Sequence, residues 1–131
     1  MSARLKSMRR IVEVQRDLRR AAEWRRAELE RRLAALQEGE RELVRFLSGE
    51  NAFSGLFAAS LAGRLRSLAA EVEEAKRALA AQAEVVLCEA GREKRAERLA
   101  ATLRREERRG EERNELAAAV EDAGMRHASP P

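Results

Sequence analysis

No tyrosine occurs in the chain, and its two prolines are confined to the last positions, Pro130 and Pro131. Aromatic residues make up only 3% (Trp24, Phe46, Phe53 and Phe57), so the aromatic and β-branched content that strands draw on is missing. With no proline through residue 129, nothing forces the frequent turns of a compact α/β or all-β domain. A single cysteine, Cys88, excludes an internal disulfide framework and a cysteine-based zinc site. The single histidine, His127, excludes clustered His ligands and Ser-His-Asp catalysis. No apolar run approaches the ~20 residues of a membrane span, and the start shows no signal core behind its cations. These features predict a cytoplasmic protein with no direct membrane insertion.

What the chain has in abundance is charge. Charged residues make up 38% of its 131 residues, with 27 cations against 23 anions interspersed rather than in blocks. A nucleic-acid binder would show a basic stripe with fewer intervening glutamates. Alanine, leucine, glutamate and arginine at this density predict an all-α coiled coil. The 3-4 apolar spacing predicts a first helix over about 3–47, with Met8, Ile11, Gln15, Leu18, Ala22, Arg25, Leu29, Arg32, Leu36, Gly39, Leu43 and Phe46 on its seam. Val12, Val14, Leu33 and Leu47 widen that stripe. The periodicity breaks at 48–55, where two glycines, two serines and an asparagine make a loop, and Ser54 is placed to cap the second helix.

That second helix is predicted over about 56–123. Its frame is Leu61, Leu65, Leu68, Val72, Ala75, Leu79, Gln82, Val86, Glu89, Glu93, Ala96, Ala100 and Leu103. Residues 125–131 read as a disordered tail. The two frames pair antiparallel, matching Leu43 with Leu61, Leu36 with Leu68, Leu29 with Ala75 and Leu18 with Val86, so residues 1–124 form one helical hairpin. In that register Leu5 faces Leu99, and the longer second helix overhangs from residue 100 onward. Ion pairs at i,i+4 support such a helix by only ~0.2–0.5 kcal/mol each, so it is expected to fray without a partner.

No catalytic constellation emerges. The carboxylate pairs Glu73-Glu74, Glu106-Glu107 and Glu111-Glu112 read as solvated helix faces, because acid–base work needs a partly dry site that separates two pKa values. No phosphate-binding loop is present, so neither enzymatic activity nor a cofactor or metal is expected. Cys88 sits beside the second seam and reads as a partly covered structural residue. The candidate partner-binding residues are Arg4, Lys6, Arg9 and Arg10 with Arg104, Arg105, Arg108 and Arg109, basic groups at one end of the hairpin that suit an acidic collar. To these are added Trp24, at an outward position, and Phe53 and Phe57 at the tip.

The opening Arg4-Leu-x-x-Met-x-Arg-x-Val-Glu-x-Gln carries a further signal together with the later Glu97-x-Leu, Arg104-x-Glu-Glu and Glu111-Glu-Arg-x-Glu-Leu. In this order, around a short loop, they resemble the FliJ family of flagellar export proteins. The YscO-type stalks of injectisomes share the same plan. The chain departs from the family in its Arg/Ala bias and in Ala118-Ala-Val, where acidic residues are usual. The resemblance implies a non-enzymatic antiparallel coiled coil that inserts its termini into the hexameric export ATPase and promotes ring assembly. It also implies contact with the membrane-embedded export gate and with export chaperones, at the cytoplasmic side of the export apparatus. A generic scaffold that dimerises through Met8, Ile11, Val12, Val14 and Leu18 is the reading from a different class.

Overall fold

The computed structural model describes residues 2–49 and 56–128. It is an all-helical hairpin of α1 (Ala3–Ser48) and the longer α2 (Leu56–Ala128), with no strand among the described residues. Ala, Leu, Arg and Glu are strong helix formers, and no proline interrupts either span. Ser2 caps α1: its hydroxyl accepts the Leu5 N–H at 3.1 Å, and its carbonyl accepts the Lys6 N–H at 3.1 Å. At the other end the Gly49 N–H reaches back to the Phe46 carbonyl at 3.3 Å, a tighter turn that closes the helix. The predicted loop, its Ser54 cap and Phe53 lie outside the described residues. Of the tail predicted over 125–131, residues 125–128 continue α2, and the rest lie outside the described residues.

The chain forms two compact units rather than one: Leu18–Ala90, and the residues up to Asp17 together with those from Gly91 onward. In the Leu18–Ala90 unit the seam is built by Ala22 and Leu29 of α1 against Val72, Ala75 and Val86 of α2, all buried. Gln82 donates from Nε2 to the Ala22 carbonyl at 3.0 Å, a polar tie across the apolar seam. That contact confirms the expected register in this unit.

In the terminal unit, Leu5 of α1 and Ala96 and Ala100 of α2 are buried, and Glu93 is buried with them at 8% exposure. The expected Leu5–Leu99 pairing is not formed: Leu5 is 2% exposed and Leu99 57%. Ser2 instead meets Glu107, and Arg16 reaches Glu93 at 3.5 Å and Glu97 at 3.6 Å. The two helices therefore cover each other farther along α2 than apolar matching implies. The overhang begins at Glu111, and every residue from there to His127 is exposed.

The expected α2 frame is met residue by residue, with Val72, Ala75, Val86, Glu93, Ala96 and Ala100 buried and Leu79, Gln82, Glu89 and Leu103 half-buried between them. The α1 frame is half corrected. Gln15, Ala22, Leu29, Leu36 and Leu43 face inward, but Ile11, Leu18 and Phe46 are 48%, 45% and 44% exposed, and Arg25 and Arg32 are exposed too. Their places are taken by the next residue along: Val12, Arg19, Arg26, Leu33 and Leu47. Arg19 and Arg26 fit a seam edge because their stems cover apolar surface while their heads pair with Glu23 at 3.0 Å and Glu30 at 3.7 Å.

Candidate partner-binding surface

The terminal unit gathers most of the sequence-predicted residues. Arg4, Lys6, Arg9 and Arg10 lie on the first turns of α1, and Arg104, Arg105, Arg108 and Arg109 on α2, all exposed. Arg9 and Arg104 flank one interhelical groove of about 430 Å³, floored by Val12 and Ala100. Arg4 borders a second groove of about 370 Å³, whose apolar lining is Met8, Ile11, Leu99 and Leu103. Arg104, Arg105 and Arg108 surround the small Ala101. Residues 2–17 and 91–110 together hold 13 cations against 6 anions, so this body is strongly basic.

Trp24 and Phe57 belong to the other unit and stand 62% and 67% exposed. Cys88 is exposed rather than partly covered, because the seam passes through Val86 and Glu89 and leaves position 88 pointing away. Among the described residues no cluster of three His, Cys, Asp or Glu side chains could hold a metal ion. No helix there is long and apolar enough to cross a membrane.

Sequence reasoning missed the apolar residues of the overhang. Leu116 and Val120 are 66% and 64% exposed. They stand i,i+4 apart, so they share one helix face, and that spacing was the available signal. The flanking charge is acidic: Glu111, Glu112, Glu115, Glu121 and Asp122 against Arg113 and Arg126. The overhang and the body of this unit thus carry opposite charge.

One carboxylate ties the start of α1 in place. Glu107 accepts from the Ser2 backbone N–H, and hydrogen bonding from Ser2 is what holds its pKa below the usual glutamate value of 4.5. A carboxylate with a lowered folded pKa contributes stability above its unfolded pKa and loses it as pH falls through the folded value. Acidification through and below the usual glutamate range should therefore free the first turn of α1. Hydrogen exchange should then quicken at Leu5 and Lys6 beyond the intrinsic pH effect, and Glu107→Gln should show the faster exchange at neutral pH.

No family model, curated protein or solved structure matches the chain.

Proposed function

We propose that the chain is a non-enzymatic stalk of the FliJ type. It binds the hexameric export ATPase of a flagellar protein-export apparatus with its helix termini, promotes ring assembly and turnover, and engages the export gate and export chaperones. The observation that carries this reading is the overhang. α2 continues as helix through Ala128, yet no residue from Glu111 to His127 is covered. A helical stretch of this length is marginal in water without packing, so a partner surface is the natural source of its stability. Ordering it on binding costs several kcal/mol, which calls for a broad receiving surface rather than a point contact. The basic start of α1 beside it would steer this end toward an acidic collar at a salt-dependent rate.

Turnover of the export ATPase, measured with the full chain and with a chain ending at Gly110, tests the proposal. Stimulation by the full chain and its loss on truncation are expected. Turnover that the full chain leaves unchanged, or that both chains raise equally, overturns it. A strain lacking the chain should lose motility, whereas intact motility with failed effector secretion would assign it to an injectisome of the YscO type.

A further inference from the structure

The overhang and the body of the terminal unit complement each other in charge and in apolar spacing. The body holds Leu99 and Leu103 i,i+4 apart on α2, at the edge of the apolar groove with Met8 and Ile11. Leu99 and Ile11 are about half exposed, so this groove is uncovered. The overhang holds Leu116 and Val120 at the same spacing, also exposed. The groove lies on a body with 13 cations and 6 anions, while residues 111–127 carry five anions and two cations. At 1.5 Å per residue the overhang is about 27 Å long, enough to lie along the whole α1 segment of this unit.

We infer that a second copy of this chain covers the overhang, in a two-fold antiparallel dimer of the terminal units. With the axis between Arg109 and Gly110, one α2 runs against the other. Leu116 of each copy then lies opposite Leu103 of its partner, and Val120 opposite Leu99. The same register sets Arg113 opposite Glu106 on the stripe itself, and Glu115 opposite Arg104 and Glu121 opposite Arg98 beside it, while Glu112 meets Glu107 and Asp122 meets Glu97 as like charges; pairs of opposite sign outnumber like ones five to two. All of these positions are at least partly exposed in the single chain. The arrangement is isologous: each copy offers one overhang and receives one, and the assembly closes at two. A second copy suits this surface because the register that matches the apolar pairs also sets most of the opposed charges against their complements.

The inference does not rest on the stalk reading. It uses the purified chain alone, without an ATPase, so each can fail separately. If both hold, the dimer is the form away from the ring, and the ring must displace one copy from the other's overhang.

Sedimentation equilibrium of the full chain at micromolar concentrations should give a dimer. Leu116→Arg with Val120→Arg should give a monomer, with circular dichroism confirming that helical content is kept. The decisive test is a charge swap. Arg98→Glu alone and Glu121→Arg alone should each weaken association about tenfold, and the double variant should recover it, because each site then faces its complement across the two-fold. A chain that stays monomeric overturns the inference. So does a dimer indifferent to the Leu116 and Val120 changes, or single reversals that the double variant fails to rescue.

Discussion

Leu29→Asp should unfold the Leu18–Ala90 unit at ambient temperature, seen as loss of most of its helical signal at 222 nm. Leu29 is one of five buried apolar residues among the described residues of that unit, and the larger of its two on α1. With Ala75 and Ala78 it lines a groove of about 240 Å³ whose other walls are Arg25, Arg32, Glu71 and Glu74. Leu29→Ala should cost about 2–3 kcal/mol, at the low end for leucine, because the space it opens joins that groove and water enters instead of leaving a dry void. The aspartate adds a carboxylate to the seam, where its desolvation is the main cost, since Arg25 and Arg32 on the same groove offset the repulsion from Glu71 and Glu74. Against a total stability of about 5–15 kcal/mol, that sum is disabling in a seam this thin. A variant melting within a few degrees of the parent would show that the seam does not hold the unit together.

Arg16→Ala and Glu93→Leu should move stability in opposite directions, although they break the same ion pair. The Glu93 side chain is 10% exposed and that of Arg16 40%, so the carboxylate bears the desolvation. Removing the arginine leaves a buried charge with weakened compensation. The cost should be about 1–2 kcal/mol, discounted from the several expected of a fully buried pair because Arg16 is partly solvated. Replacing Glu93 by leucine removes the charge itself and adds apolar volume to the seam one turn before Ala96, so thermal stability should hold or rise. It should also loosen register, because Arg16 bridges Glu93 and Glu97 and so fixes where α1 sits along α2. Equal losses from both substitutions, measured by thermal melts, would show that the pair is a net contributor rather than a registry device.

The hairpin and the α2 seam were legible because both arise from one strong signal, a heptad of apolar and small residues broken once by Gly and Ser. The α1 seam was only half legible. Val12, Leu33 and Leu47 are as apolar as Ile11, Leu18 and Phe46, and composition cannot choose between neighbours. The choice falls to arginines that find carboxylates four residues on, as Arg19 does at Glu23. The start of the overhang was misplaced for a related reason. A repeat of seven offers many equivalent alignments, and the one adopted near the termini is marked by Ser2 with Glu107 and Arg16 with Glu93, polar contacts that apolar matching ignores. Sequence did place the basic residues of the terminal unit. It passed over Leu116 and Val120, because two apolar positions in a highly charged stretch look like noise until their exposure is known.

None of the large side chains among the described residues is fully enclosed. Unfolding therefore bares little new hydrocarbon to solvent, and the heat-capacity increment per residue should fall below that of a globular domain of the same size. A small increment flattens the curve of free energy against temperature. Such a molecule tolerates cold well and loses its structure gradually on warming.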